Sequence, residues 1–149
     1  MNTSLDKVDA KIVRMLQKNG RLPNTEIAKK VGVSEATVRN RLQRLVNENY
    51  IQVVAVGNPF KITPGISGRI GICAEIKKID QVLQALNAMK ELWYIARVEG
   101  SIDFDVEYFV RSLDHYRELI DAIKKIDGVL RTETDFILEI LKCRYDYLL

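Results

Sequence analysis

A turn of only two residues joins two predicted helices near the start of the chain. One helix is expected to begin at Pro23-Asn24, where the proline costs nothing because the first N–H groups of a helix have no partner. Gly32 ends that helix and Ser34 caps the next one. Helices joined by so short a turn cross steeply, and a steep crossing needs a small residue at the contact. Ala28 fits that place and Val38 fills the corner, so the spacing predicts a helix-turn-helix.

A further helix precedes this pair. Asp6 is a suitable cap, apolar residues recur at helical spacing through Leu16, and Asn19-Gly20 is expected to stop the helix in a left-handed conformation. The third helix is expected to end near Asn47. The same apolar spacing would also occur in a helical hairpin within an ordinary core. The charge of the segment helps to distinguish such a hairpin from a DNA-binding helix-turn-helix.

The charge of the chain is unevenly distributed. The net charge is +3, but residues 1–50 contain ten basic and five acidic residues, a net charge of +5. The remaining residues contain 13 basic and 15 acidic side chains, a net charge of −2. A basic first third indicates a polyanionic partner, and the alternative is a solvated, lysine-rich surface.

The polar side of the third helix carries the candidate DNA contacts. At 100° per residue, Val38, Leu42 and Leu45 form its buried stripe. Amides pair with adenine, arginines pair with guanine or phosphate, and small residues let a helix approach the groove. The predicted DNA-binding residues are Ser34, Glu35, Ala36, Thr37, Arg39, Asn40, Gln43 and Arg44. Arg41 points beside the core, so we expect it to form a structural ion pair or a phosphate clamp, and the ion pair is favoured.

A different pattern begins after residue 50. Residues 51–56 are β-branched and predict a strand, which has no obvious partner except the same strand of a second chain. Residues 57–68 are rich in glycine and proline and predict a linker. Thereafter strands are expected at 69–76, 93–98, 103–111 and 129–141, and helices at 80–92 and 114–126. This β-α-β-β-α-β order is the ferredoxin-like arrangement, in which both helices cover one face of an antiparallel sheet.

The chain is therefore expected to be an α+β protein in three parts. Residues 1–50 form the helix-turn-helix domain, 51–68 the strand and linker, and 69–149 the ferredoxin-like domain. The free face of the predicted sheet carries mostly charged residues: Glu75, Arg97, Asp105, Glu107, Arg131, Glu133 and Asp135. Such a face is either solvated or packed against a second sheet in a dimer, and the pattern leaves both open.

Composition argues against several other classes of protein. The longest uncharged run, residues 49–60, is too short to span a membrane, and no signal peptide is evident at the amino terminus. Cys73 and Cys143 match no metal or redox spacing, and His115 is the single histidine. We therefore expect a cytoplasmic protein without a metal site or a cofactor.

Six short stretches resemble one family of transcription factors. They are Leu5-Asp6-x-x-Asp9-x-x-Ile12, Gly20-Arg21, Glu26-Ile27-Ala28-x-x-Val31-Gly32-Val33-Ser34, Val38-x-x-Arg41-Leu42-x-x-Leu45, Val98-Glu99-Gly100-x-x-Asp103 and Gly128-Val129-x-Arg131-Thr132-x-Thr134. In this order they resemble the leucine-responsive regulator/AsnC family, also called feast/famine regulators, over the whole length. Asn49 stands where the family usually has glycine, and asparagine tolerates the left-handed conformation.

The resemblance implies an assembly and an effector site. Family members dimerise sheet to sheet, their dimers often form octameric rings, and amino acids bind between dimers. Carried over to this sequence, the effector-binding residues are Gly100, Ser101, Ile102, Asp103, Thr132, Thr134, Glu118 and Asp121. The loop suits an amino acid because glycine lets backbone N–H groups approach a carboxylate and Asp103 can take an ammonium group. Without the resemblance, the loop would be read as an ordinary hairpin turn.

The function expected from these features is that of a sequence-specific regulator of double-stranded DNA, not an enzyme. Its assembly or DNA affinity would respond to a small molecule, most simply an amino acid. One alternative is an enzyme like the sirohaem decarboxylases, which share the two-domain arrangement, although His115 is predicted at a helix start, where a solvent-facing role is expected. The other alternative is a chromatin-like compactor that binds DNA without sequence preference.

Overall fold

The computed structural model describes residues 5–144, except for the side chains of Pro59 and Phe60. The described residues divide into two compact units, 5–56 with 142–144, and Gly57–Leu141. No helix among the described residues is long and apolar enough to cross a membrane.

Three helices form the first unit: α1 is Lys7–Lys18, α2 is Asn24–Val31 and α3 is Glu35–Asn47. The Asp6 carboxylate accepts hydrogen bonds from the first turn of α1, and the Ser34 hydroxyl accepts one from the first turn of α3. Between α2 and α3, Gly32 adopts the left-handed conformation with φ of 81°. The shared core contains Ile12, Ile27, Ala28 and Val38. The predicted helix-turn-helix is confirmed, with Ala28 and Val38 both buried at the crossing.

The end of α1 differs from the prediction. Asn19 is extended, with φ of −148°, and the φ of Gly20 is not positive, so neither residue has the left-handed conformation. The chain turns here by another means, because the Asn19 side-chain carbonyl accepts a hydrogen bond from the Arg21 N–H at 3.0 Å. By contrast, Asn49 does adopt the left-handed conformation, with φ of 59°, as expected for a residue that replaces glycine.

Residues 51–58 have no regular secondary structure, so the strand predicted for residues 51–56 is absent from the single chain. A strand requires a hydrogen-bonded neighbour, and the described residues offer none here. Val53, Val54 and Val56 are exposed. Pairing of this segment with a second copy of the chain therefore stays a prediction.

The second unit contains a four-stranded antiparallel sheet in the order β2-β3-β1-β4. Its elements are α4 (Pro59–Ile62), β1 (Ile66–Ala74), a 3-10 turn (Ile76–Lys78), α5 (Ile79–Asn87), β2 (Leu92–Arg97), β3 (Phe104–Val110), α6 (Leu113–Lys124) and β4 (Val129–Phe136). One face of the sheet, with Ile70, Phe104 and Val106, packs against α5 and α6. The ferredoxin-like, α+β fold is confirmed.

Several boundaries in this unit differ from the prediction. The first strand begins at Ile66, three residues earlier than predicted. The last strand ends at Phe136 instead of residue 141. It ends there because Phe136 pairs with Gly68 near the start of β1, and little of β1 remains beyond Gly68 to pair with further residues. The short helix α4 lies inside the predicted linker. Arg97 pairs with the buried Phe104, so it belongs to the helix-covered face and not to the open face.

Candidate nucleic-acid interface and effector site

The outward side of α3 presents an exposed polar ridge. Ala36, Arg39, Asn40 and Gln43 are all exposed, while Val38 and Leu45 on the opposite side are fully buried. The helical geometry predicted this division, because the two groups differ by roughly half a turn. Asn47 completes the ridge at its carboxyl end, and its amide oxygen accepts a hydrogen bond from the Gln43 amide at 2.9 Å. Sequence reasoning missed Asn47, although the same 100° step places it in the centre of the ridge.

At the amino end of α3 the predicted contacts are partly engaged with one another. The Ser34 hydroxyl accepts a hydrogen bond from the Thr37 N–H at 3.1 Å, and the two hydroxyl oxygens are 2.8 Å apart. Glu35 and Arg39 form an exposed ion pair at 2.8 Å, one helical turn apart. Such a surface pair is weak. Arg39 can therefore leave Glu35 for a phosphate or a guanine at little cost.

Arg44 is held by α1. One of its guanidinium nitrogens lies 2.5 Å from Asp9 Oδ2, and the Asp9 side chain is only 1% exposed. The Arg41 guanidinium lies 2.9 Å from Asp9 Oδ1 and also pairs with Asp6. The structural ion pair expected for Arg41 is therefore present. The pairing of Arg44 was not expected, because the helical angle alone does not show that α1 packs along that flank of α3.

These ion pairs have electrostatic consequences. Hydrogen bonds from the Asp9 backbone N–H and from Arg41 lower the pKa of Asp6 to about 2. The hydrogen bonds to Asp6 and Asp9 raise the pKa of Arg41. Two acids of α1 thus neutralise the flank of α3 that faces them, whereas the ridge itself keeps amides, a small residue and Arg39 open to a ligand. This combination can read base edges and contact phosphates.

The predicted effector loop lies between β2 and β3. Gly100 has φ of 156° and open space where a side chain would project. Ser101 is exposed, and its carbonyl oxygen accepts hydrogen bonds from Cys73 and Arg131. Asp103 Oδ2 accepts a hydrogen bond from the Ala74 N–H at 2.8 Å. Asp103 therefore fastens the loop to β1 through Oδ2, and its other carboxylate oxygen has no hydrogen-bond partner among the described residues.

Ile102 fixes the other side of this loop. Its side chain lies above Gly71 of β1, where an added Cβ would be 3.1 Å from Ile102 Cγ2. A larger residue at position 71 would therefore displace the loop. Sequence reasoning missed the neighbours Cys73 and Arg131, because they come from two other strands and meet the loop only through the sheet.

The remaining candidate effector residues form a separate group. Thr132 and Thr134 pair with Ile72 and Ile70, so they lie on the helix-covered face, and Thr134 accepts a hydrogen bond from the Tyr116 hydroxyl at 2.9 Å. Glu118 and Asp121 are exposed on α6. Among the described residues, no hydrogen bond or ion pair joins this group to residues 100–103.

The open face of the sheet is charged and partly self-paired. Arg69 lies 2.5 Å from Asp105, and Arg131 lies 3.0 Å from Glu133. Burial, and then the neighbouring Asp105 carboxylate, raise the pKa of Glu107 on the inner strand β3. The face also offers small or uncharged positions at Gly71, Cys73 and Ala96, according to the strand register.

Two family models match separate parts of the sequence. The AsnC-type helix-turn-helix domain matches residues 5–46, and the Lrp/AsnC ligand binding domain matches residues 70–147. The chain belongs to the Lrp/AsnC family. Its membership agrees with the helix-turn-helix of the first unit and with the ferredoxin-like sheet of the second.

Similar proteins support this assignment along nearly the whole chain. An HTH-type transcriptional regulator of Pyrococcus abyssi is 36% identical over 143 residues, which cover 95% of this chain and 90% of that protein. The structure of Escherichia coli AsnC matches with a TM-score of 0.80 at 26% identity, covering 95% and 97% of the two chains. A feast or famine regulatory protein of Mycobacterium tuberculosis, complexed with L-methionine, matches with a TM-score of 0.82 at 25% identity, covering 94% and 96%.

This Lrp/AsnC-family chain is thus a transcriptional regulator with a DNA-binding helix-turn-helix and a ligand-binding domain. The family models and relatives are those of regulators and not of enzymes. The comparisons give no support to a sirohaem decarboxylase or to a non-specific compactor.

Proposed function

We propose that this Lrp/AsnC-family regulator binds specific DNA sequences by inserting the ridge of α3 into the major groove. The observation that carries the proposal is the exposure of Ala36, Asn40, Gln43 and Asn47 on one side of α3. Amides recognise adenine by two hydrogen bonds, and the small side chain of Ala36 lets the helix approach the base edges. Arg39 is the cation of the ridge that is least restrained by buried partners, and we assign it to a phosphate or a guanine.

The experiment compares specific with random DNA. Duplexes are selected from a randomised library by the wild-type chain, and dissociation constants are measured for selected and random duplexes at one salt concentration. Each bidentate amide–base pair contributes about 1–3 kcal/mol of discrimination. The variant Asn40→Ala/Gln43→Ala is therefore expected to bind selected duplexes at least about tenfold more weakly, with random duplexes little affected.

The matched control is Gln84→Ala, which removes an exposed amide from α5 in the other unit. It is expected to bind both duplexes like the wild type. If the ridge variant keeps the wild-type preference, the assignment of the ridge is wrong. If selection enriches no sequence, specific binding itself is wrong.

We further propose that an amino acid binds at the loop of residues 100–103 and shifts assembly or DNA affinity. Support comes from the exposed Ser101, the open space at Gly100 and the free oxygen of Asp103. A related regulator crystallises with L-methionine, which makes this amino acid the first candidate. The second group, Thr132, Thr134, Glu118 and Asp121, would complete the pocket from a neighbouring copy.

The test is a thermal-shift screen of the standard amino acids, because a ligand that binds only the folded state stabilises it, by about 2.7 kcal/mol at one hundred times its dissociation constant. Asp103→Asn is expected to abolish the shift while keeping DNA binding. Asparagine retains an oxygen that can accept the Ala74 N–H, so the loop stays fastened. Asp80→Asn, on the exposed side of α5, is the control. Equal shifts in Asp103→Asn and wild type would remove Asp103 from the site.

For the assembly, we propose a cytoplasmic homodimer that packs open sheet face to open sheet face, and higher oligomers up to an octamer. Glu107→Lys would place an unpaired cation in the middle of that face, and it is expected to lower the mass measured by light scattering. Asp80→Lys makes the same change of charge on α5 and is expected to leave the mass unchanged. If Glu107→Lys and the wild type have equal masses, the open face of the sheet is solvated and not an interface.

A further inference from the structure

Four cations line the outward side of α1. They recur at intervals of three and four residues, so they share one side of the helix, and all are exposed. We call them the α1 stripe: Lys7, Lys11, Arg14 and Lys18. The packed side of the same helix contains Asp9, Ile12 and Val13, all buried. The helix thus keeps its acids at the packed side or at its cap and presents only cations outward.

The α1 stripe opposes the stability of the helix that carries it. Successive members are like charges three or four residues apart, which destabilises a helix, and Lys7 occupies the amino-terminal turn, where the helix dipole disfavours a cation. Within residues 5–144 none of the four side chains forms an ion pair. A bound polyanion would relieve this repulsion.

The α1 stripe and the ridge of α3 face different directions. The packed sides of α1 and α3 meet in one core, with Ile12 and Val38 fully buried. The stripe lies opposite the packed side of α1, and the ridge lies opposite the packed side of α3. We therefore expect a straight duplex in contact with the ridge to leave the stripe uncovered.

The length of the α1 stripe suits duplex DNA. Lys7 and Lys18 are separated by eleven residues, which corresponds to about 16 Å of helix. The same length of duplex axis carries about ten phosphate charges on its two strands. A row of exposed cations without base-reading amides is the chemistry of backbone contact, which is independent of sequence.

We propose that the α1 stripe binds the phosphate backbone of a second duplex segment while α3 occupies the first. The second segment comes either from another DNA molecule or from a distant part of the same one. This inference rests on the proposed function, since it assumes that α3 already holds DNA. Contacts of this kind release counterions, so they weaken steeply as salt rises.

The test uses full-length chains with equal changes in charge. The stripe variant is Lys7→Gln/Lys11→Gln/Arg14→Gln/Lys18→Gln. The control is Lys77→Gln/Lys90→Gln/Lys124→Gln/Lys125→Gln, which removes four exposed lysines from the other unit. Glutamine suits a helix, and circular dichroism melting verifies that both variants fold.

Two measurements separate the first duplex from the second. The affinity for one selected duplex of about 20 base pairs reports the ridge of α3. Capture of a fluorescent duplex by protein on bead-bound duplex reports bridging between molecules, and shortening of a single tethered DNA reports bridging within one molecule. We expect the stripe variant to keep its affinity for a single duplex within about threefold of the wild type. We expect its capture of the second duplex, or its shortening of tethered DNA, to fall by at least about tenfold, whereas the control should match the wild type in all measurements.

Three results would overturn the inference. The first is equal bridging by stripe variant and control, and the second is the absence of bridging by a wild type that binds single duplexes. The third is a parallel loss of single-duplex affinity in the stripe variant, which would place the stripe on the first duplex. A wild type that binds no duplex would instead contradict the proposed function.

Discussion

Asp9 joins α1 to two arginines of α3. Its carboxylate lies 2.5 Å from the Arg44 guanidinium and 2.9 Å from that of Arg41, and its side chain is 1% exposed. A carboxylate buried to this extent needs such partners, because an unpaired buried charge is strongly destabilising. The contact therefore fixes α3 against α1 and with it the direction in which the ridge points.

We predict that Asp9→Asn lowers the free energy of unfolding by about 1–3 kcal/mol, below the full cost of a broken buried pair because both arginines are partly exposed. Asparagine keeps the volume and removes the charge. Urea unfolding of the full chain measures the change. Arg39→Gln, which breaks the exposed pair with Glu35, is the control and is expected to change stability by less than about 0.5 kcal/mol. Equal effects of the two substitutions would contradict a structural role for Asp9.

We predict that Asp6 makes the first unit sensitive to acid. The pKa of Asp6 is about 2 in the folded chain, against an ordinary value of 3.8. A lowered pKa contributes stability above the ordinary value, and this stability is lost as the pH falls through the folded value. The wild type should therefore exceed Asp6→Asn in stability above about pH 4, and the difference should shrink towards pH 2.

Asparagine is also a good helix cap, so this substitution tests the charge of Asp6 and not its capping role. Thermal melts at a series of pH values give the difference. Asp114→Asn removes an exposed acid at the start of α6 and serves as the control. A difference between wild type and Asp6→Asn that does not vary with pH would show that the charge is not involved.

Tyr108 has a buried hydroxyl without a hydrogen-bond partner among the described residues. Burial raises the pKa of this hydroxyl to about 12. The neighbouring Gly68 leaves the space that the hydroxyl fills, since a side chain there would collide with it. Because a buried unpaired hydroxyl is unfavourable, we predict that Tyr108→Phe raises the free energy of unfolding by about 1 kcal/mol.

The matched control for Tyr108 is Tyr116→Phe. The Tyr116 hydroxyl donates a hydrogen bond to Thr134 at 2.9 Å, so its removal is expected to lower stability by about 0.5–1 kcal/mol. Urea unfolding of both variants shows whether each substitution raises or lowers the free energy of unfolding. A loss of stability in Tyr108→Phe would mean that the hydroxyl has a partner.

The parts of the fold that depend on local chemistry were predictable from the sequence. The caps at Asp6 and Ser34 and the turn at Gly32 follow from residue type and spacing, and the ridge follows from helical periodicity. The order of strands in the second unit follows from alternation and from the ferredoxin-like pattern.

Features that depend on contacts between distant segments were not predictable in this way. The pairing of Arg44 with Asp9 requires knowledge of which flank of α3 meets α1. The one available signal was that Asp9 shares the apolar side of α1 with Ile12 and Val13, where a carboxylate needs a cationic partner. The end of β4 depends on where β1 begins. Arg131 reaches Ser101 only because β4 lies beside β1, and no local spacing reveals that neighbour.

Site-specific photo-crosslinking tests the account most directly, because it reports which surface of the protein touches DNA. Asn40→p-benzoylphenylalanine places the reactive group on the ridge of α3, and Gln84→p-benzoylphenylalanine places it on α5 of the other unit. With a selected duplex, we expect crosslinks from position 40 and none above background from position 84. Crosslinks from position 84 without any from position 40 would contradict the central claim that α3 enters the duplex.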